Sequence, residues 1–507
     1  MNAPWLVIPV VLPLLMTAVM LLCERWRPSL QLPLSLLSTM SLLAVAVALV
    51  RVAGTDTIAV TLVGNWSAPF GIVLVLDRLA AMLLLLTAVV ALASLLASVT
   101  LAQRGPHFHA FFQIQLAGLN GAFLTGDLFN LFVFFEVLLV ASYALLLHDA
   151  GARALRAGMH YVIINLVGSA LFLVAATLLY GVTGTLNFAD LALQLQQLPV
   201  HDQGLAQAAA LLLLVVFGIK AAVLPLGFWL PATYGAAPGP VAALFAIMTK
   251  VGFYGVVRTS MLLFGAGDTA LTGWGAEAIF ALGIFTVAFG AFSALSTLRL
   301  TTLIGSLVLV STGTLVAAST LGEPALAGAL FYMVHSTLAM ALLFLLVHAI
   351  GLQRGAIEDH FGIGPAVAQP VLLGSLFVVG AGAAVGLPPL AGFVGKVLML
   401  SATVNAPGAA WFWTALLGSG LLALYVLARA GSLVFWNTQP ATDIAAPLSW
   451  PSAAGIAVLV VASLAWMVLA VPATHYAVAT ARQLAQPRLY IDAVLRTTPV
   501  PPPGKER

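Results

Sequence analysis

Charge is what this sequence has least of. Only 7% of its 507 residues are Asp, Glu, Lys or Arg and 62% are hydrophobic. Soluble domains carry about 25% charged residues. With a mean hydropathy of +1.11, the composition excludes a soluble globular chain and predicts an all-α polytopic membrane protein. Cysteine is nearly absent. The single Cys23 excludes an iron–sulfur cluster ligated by this chain alone, a zinc ribbon and an internal disulfide. No Walker loop, HExxH or serine nucleophile elbow occurs. Gly380-Ala-Gly382-Ala-Ala-Val-Gly386 is one residue off a dinucleotide fingerprint and lies in an apolar run, so it reads as helix packing. The net charge of +3 comes from scattered arginines, which does not imply nucleic acid. The start, MNAPWLVIPV, lacks a positive n-region, so a retained first helix is expected.

What is present is a series of long apolar runs. Counting stretches of about 20 residues predicts about 14 spans. They fall near 5–23, 31–51, 79–101, 108–125, 128–148, 158–181, 206–226, 240–263, 276–297, 302–320, 325–350, 370–403, 409–434 and 452–471. A polar loop through Asp56 and Asn65 follows the second. Arg25, Arg27, Arg104, Arg153, Arg156, Arg299, Arg354 and Arg429 follow odd-numbered spans, whereas Arg51, Arg78 and Arg258 follow even-numbered ones. The positive-inside rule then puts the odd loops in the cytoplasm and the N-terminus outside. The tail, with Arg482, Arg488, Arg496, Lys505 and Arg507, runs against that rule if the span count is even.

Lysine and arginine are segregated. Of four lysines, Lys220, Lys250 and Lys396 lie inside predicted spans and Lys505 in the tail. A lysine at bilayer depth costs roughly 2.5–3.5 kcal/mol and points to function. Arginine cannot give up its proton, whereas a desolvated lysine can load and release one near neutral pH. Glu136 lies mid-span in LFVFFEVLL and should be protonated or paired, with Lys220 a natural partner. His335, also mid-span, is a further relay candidate. His148, His160 and His348 sit near span ends and read as interfacial. Asn120, Ser142, Asn165, Thr249, Thr312, Ser336 and Thr337 could hold water chains, although each alone reads as a helix-contact residue. No discrete metal site stands out; Asp127 and Glu136 are the acids to consider. No cofactor is expected.

Prolines interrupt two of the runs. Ala221-Ala-Val-Leu-Pro225-Leu-Gly-Phe228 echoes Ala383-Ala-Val-Gly-Leu-Pro-Pro389-Leu-Ala-Gly-Phe393, and each has a buried lysine nearby, Lys220 and Lys396. These are the seventh and twelfth spans, read as discontinuous helices. An odd offset of five reverses orientation, which predicts two inverted five-helix repeats, spans 4–8 and 9–13. The expected division is 1–105 (three helices), 106–264 (first repeat), 265–435 (second repeat) and 436–507 (last helix and tail).

Two stretches carry a resemblance: LFVFFEVLLVASYALLLHDAGARALRAGMHYVIINLVGSALFLVAATLLYGVTGTLNFADLA, and GIKAAVLPLGFWLPATYGAAPGPVAALFAIMTKVGFYGVVR. From about Asp77 to residue 435 the chain resembles the D subunit of Mrp-type multisubunit cation/proton antiporters. These are relatives of the proton-translocating, antiporter-like subunits of respiratory complex I. The resemblance maps the family's fifth-span glutamate onto Glu136 and its seventh- and eighth-span lysines onto Lys220 and Lys250. Its eleventh-span histidine maps onto His335 and its twelfth-span lysine onto Lys396. It implies a proton relay through these five residues, partner subunits in a hetero-oligomeric complex, exchange of Na+, K+ or Li+ for protons, and a bacterial inner membrane. The sequence departs from the family at Ala232 and Gly235, where relatives carry Asp and His, which argues against a loop-specific role there. Lys396, and the short stretch after residue 471, favour the Mrp type over the complex I type. The alternatives are a proton-pumping subunit of an NADH–quinone oxidoreductase or membrane hydrogenase, and a scaffold whose buried charges only staple helices.

Overall fold

Helix starts in this chain are set by a few short polar side chains. Asp77 accepts the Ala80 N–H at 2.8 Å and opens α3 (Arg78–Ala97); Asp127 does the same for Asn130 at 2.8 Å and opens α6 (Leu128–Leu146). Asn187 opens α8 (Phe188–Gln196) by accepting from Ala189 and Asp190. Each side chain satisfies a backbone donor that the first helical turn leaves unpaired. The computed structural model describes residues 3–103, 105–148, 151–265, 272–273, 275–439 and 446–500. Arg104, Lys505 and Arg507 lie outside the described residues.

Before α3 come α1 (Ile8–Glu24), α2 (Gln31–Ala53) and an antiparallel hairpin of β1 (Ala59–Leu62) and β2 (Val73–Leu76), Ala59 facing Leu76. Both strands are fully buried, so the expected polar loop is a structured cover rather than a solvated turn. The short α4 (Val99–Ala102) and α5 (Phe108–Leu124) follow α3. After α6 come α7 (Ala152–Thr183), α8, α9 (Val200–Ala221), α10 (Trp229–Ala236), α11 (Gly239–Phe245) and α12 (Met248–Arg258). The remaining helices are α13 (Ala276–Ser296), α14 (Leu300–Ala318), α15 (Glu323–Arg354), α16 (Pro370–Val385), α17 (Ala391–Ala402), α18 (Ala409–Phe435), α19 (Trp450–Val468), α20 (Ala470–Leu484) and α21 (Pro487–Leu495).

Among the described residues, 12 helices are long and apolar enough to cross a membrane. This is an all-helical, multi-pass membrane protein. The apolar middle stretches of Gly239–Leu263 and Glu323–Ile357 are wholly enclosed by the rest of the protein, whereas α18 and α19 turn most of their surface outward. Leu22, Leu37, Leu421 and Val461 are among the outward apolar residues, as suits a surface bathed in lipid tails.

The ends of the helices define two faces. One, the hairpin face, carries β1–β2 and the starts of α3, α6 and α15. The tail helices α20 and α21 lie across it. The Tyr476 hydroxyl donates to the Arg78 carbonyl at 3.0 Å, and Gln483 accepts the Arg78 N–H at 3.0 Å. Arg482 pairs with Glu323 at 3.5 Å, and Asn65 and Val500 exchange two hydrogen bonds of 2.8 Å. The described part of the basic tail therefore shares a face with the loops that follow even-numbered spans. The opposite face carries Arg153, Arg299 and Arg354.

Candidate functional site

The site begins at the break after α9. Pro225 cannot continue the helix, and the chain turns at Ala222 with φ +59°. The Val223 N–H returns to the Gly218 carbonyl at 2.8 Å, and Leu224 donates to Thr286 Oγ1 of α13 at 2.9 Å. The broken backbone is thus satisfied inside the protein, as a lipid environment demands. α12 presses directly on this turn. A Cβ at Gly252 would stand 2.2 Å from the Ala221 nitrogen, so only glycine permits the approach.

Lys220 occupies the last turn before the break and is 6% exposed. Its Nζ donates to Asn165 Oδ1 and to Ser169 Oγ, both at 3.4 Å, and lies 5.5 Å from the Phe135 ring centre. The Asn165 amide is fixed by donating to the Tyr161 carbonyl at 2.9 Å, which turns its oxygen to the lysine. The Ser169 hydroxyl in turn donates to Glu136 Oε1. Glu136 and Lys220 are therefore joined through Ser169, not by a direct ion pair. Glu136 itself is half-buried in mid-helix on α6.

The second break mirrors the first in backbone and differs in side chains. α16 ends at Gly386, with φ +81°, and α17 restarts at Ala391. His335 of α15 is 3% exposed, and its Nε2 lies 2.9 Å from the Ala383 carbonyl. A carbonyl only accepts, so Nε2 carries a proton and donates it, while Nδ1 is buried without a partner. Gly392 makes room for the ring; a Cβ there would meet His335 Nε2 at 2.6 Å. Lys396, in α17 and half-buried, donates from Nζ to the Val385 carbonyl at 2.7 Å. Half-helix carbonyl ends carry partial negative charge and hold cations well.

Lys250 stands apart from both clusters on α12, 1% exposed, its Nζ donating to Thr249 Oγ1 at 3.1 Å. The structure thus brings Glu136 and Lys220 together, gathers His335 and Lys396 about the second break, and places Lys250 in the enclosed core. Asp127 is used as the α6 cap. Burial pushes its carboxyl above the usual carboxylate range, against the opposing backbone hydrogen bonds of Asn130 and Phe129. On the arginine-bearing face a cavity of about 610 Å³ opens between the two halves, lined among others by His148, Arg153, Arg299 and His348. Sequence reasoning misses Ser169 and the buried Asp77–Arg258 ion pair. The spacing of Asn165 and Ser169, one helical turn apart on the face toward Lys220, is the available signal for the first.

Buried lysines placed at interrupted helices inside an all-helical membrane chain define a secondary-transporter type of site. The chain belongs to the NADH:quinone oxidoreductase/Mrp antiporter transmembrane family, whose family model matches residues 125–423. It is 40% identical to the D subunit of a probable K(+)/H(+) antiporter of Rhizobium meliloti, over 97% of each chain. It is 34% identical to the D subunit of a Na(+)/H(+) antiporter of Alkalihalophilus pseudofirmus, over 97% of this chain and 99% of the relative. Among solved structures it resembles a chain of the Mrp complex from Dietzia sp. DQ12-45-1b, with TM-score 0.87 and 26% identity over 97% and 99% of the two chains. A chain of respiratory complex I from Thermus thermophilus shares the fold, with TM-score 0.79 and 23% identity over 94% and 99%.

Proposed function

We propose that this chain is the proton-carrying membrane subunit of a multisubunit monovalent cation/proton antiporter in a bacterial inner membrane. The observation that carries the reading is the Glu136–Ser169–Lys220 chain at the first helix break. A proton held on Lys220 is gripped according to how close the Glu136 carboxylate stands. When that chain opens, the proton passes by water to Lys250 and His335, and leaves by Lys396 at the second break. Arginine could not perform these steps, because it does not release its proton. The gaps on either side of Lys250 are bridged by water in this account.

The architecture behind the reading is 14 crossings, with α5 and the interrupted α16–α17 added to the twelve longer segments. The crossings from α5 through α12 and from α13 through α18 form two inverted repeats. One arrangement, repeated at both breaks, supports this: each break lies against the helix of the crossing before it, through Asn165 and Ser169 in one case and His335 in the other. The first three crossings and the last, with its tail, flank the repeats. The loop arginines support an N-terminus facing outward. Glu136 is half-buried at mid-membrane depth, where lipid is a poor neighbour for a carboxylate. A partner protein covering that face of α6 resolves the conflict, so the working antiporter is a hetero-oligomer.

The test uses inverted vesicles from cells lacking their own antiporters and expressing the full gene cluster with or without this chain. Addition of Na+, K+ or Li+ should dissipate the pH gradient when the chain is present, and the active ion identifies the substrate. A complete complex that answers none of the three refutes the assignment.

A further inference from the structure

One buried charge on α12, Arg258, takes no part in the relay. Lys250, Tyr254 and Arg258 follow one another at four-residue spacing on α12, which places them on one helix face. The stripe runs about 12 Å, from the central lysine to the hairpin face. At its end Arg258 is buried, and its Nη2 donates to Asp77 Oδ2 at 2.6 Å. Its Nε donates to the Tyr254 hydroxyl at 3.3 Å, and that hydroxyl donates to the Phe123 carbonyl at 3.2 Å. The guanidinium lies against two rings, Tyr254 and Tyr490, each centre 5.0 Å away. Tyr490 belongs to α21 of the tail. A void of about 10 Å³ among Asp77, Arg258, Gln483 and Tyr490 has room for about one water. Immediately beyond Arg258 the chain makes a π turn over Thr259–Leu263, a deformation that concentrates at functional sites.

We propose that Arg258, held by Asp77 and covered by the tail helix α21, is an electrostatic seal on the hairpin-face end of the first repeat. Without it the Lys250 stripe offers a short exit to that face, and protons leave before reaching Lys396. A permanently charged guanidinium cannot accept and pass on a proton, and a fixed positive charge in a constriction repels protons and metal cations alike. Asp77 keeps the guanidinium in place and is itself anchored, since its other oxygen caps α3. Tyr490 closes the last opening from outside. The seal thereby makes the second repeat the exclusive exit, which tight coupling requires. A staple that only joins α3 to α12 makes no such demand on proton tightness.

This inference rests on the relay reading of Lys250, and the test separates the two. Inverted vesicles holding the assembled complex are energised in the absence of added alkali cation, and the passive decay of the pH gradient is followed. Arg258→Gln should collapse the gradient several-fold faster than the parent complex, and Arg258→Lys, which can load and release a proton, should leak as well. Adding Lys250→Ala to Arg258→Gln should restore tightness. Tyr490→Ala, which spares the ion pair, should also leak and decides the matter if Arg258→Gln does not assemble. Assembled Arg258→Gln or Tyr490→Ala complexes that stay tight overturn the seal, as does a leak that survives Lys250→Ala. Lys220→Ala, measured for exchange in parallel, reports on the relay alone. A tight Arg258→Gln complex beside an inactive Lys220→Ala complex defeats the seal and leaves the relay standing.

Discussion

The two interrupted helices place their lysines on opposite sides of the break. Lys220 lies on the arriving half-helix and is held by side chains of α7, through which it reaches a carboxylate on α6. Lys396 lies on the departing half-helix and is held by a backbone carbonyl at the end of its own partner half, Val385. A side-chain tether opens by a change of rotamer, in picoseconds to nanoseconds where space allows. A carbonyl in a helix terminus moves only with the helix. In the proposed relay the first break therefore varies its grip on a charge and the second presents a constant one. On that proposal, two breaks with similar backbones divide loading from release in this way.

Substitutions that remove one side of this comparison should differ in size. Lys396→Ala removes the proposed release point and should abolish cation-driven proton efflux in an assembled complex; residual exchange above a tenth of the parent rate, about 1.4 kcal/mol of barrier, would break the division of labour. Glu136→Gln keeps the shape and removes the charge at the far end of the tether. A charge-assisted hydrogen bond is worth about 1.5–3 kcal/mol, so exchange should fall by roughly 10- to 100-fold. Ser169→Ala removes only the bridge and leaves Asn165 on the lysine. The loss should be about 1 kcal/mol, roughly fivefold in exchange rate. The smallest effect on transport should come from Asn65→Ala, which breaks two exposed hydrogen bonds to Val500 and should leave exchange within error of the parent. Stability tells a different story at the hairpin face. Asp77→Asn leaves the Arg258 charge buried without its partner, costing about 3–5 kcal/mol, and should lower the thermal midpoint of the purified complex more than any of the others.

Much of the fold is legible in the sequence because lipid imposes a simple rule on apolar length. The expected spans near 276–297 and 409–434 match α13 and α18 to within three residues. The break expected within 370–403 is present between Val385 and Ala391. Charge at an interface misleads in one place: α7 starts at Ala152, not near 158, because Arg153 and Arg156 lie within its first turns and disguise them as loop. The hairpin reads as a polar loop on account of Asp56 and Asn65, although the runs Ala59–Leu62 and Val73–Leu76 are rich in β-branched residues. The helices α8, α20 and α21 are too short to register as spans. In the site, three lysines and a glutamate in apolar surroundings are conspicuous because each is costly there. Ser169 is not, since a lone serine in a membrane helix is ordinary packing. Asp77 and Arg258 stand 181 residues apart, and nothing local announces that one completes the other.

The central claim is that Lys220 must change its charge during each cycle, and Lys220→Arg tests it most directly. Arginine preserves the positive charge and hydrogen-bond donors beside Asn165 and Ser169 but does not release a proton. Cation-driven proton efflux would be measured in inverted vesicles, with assembly of the complex verified in the same membranes. The account predicts an assembled complex with no exchange. An assembled Lys220→Arg complex that exchanges at the parent rate would show that the position needs only a fixed charge, and would contradict the account.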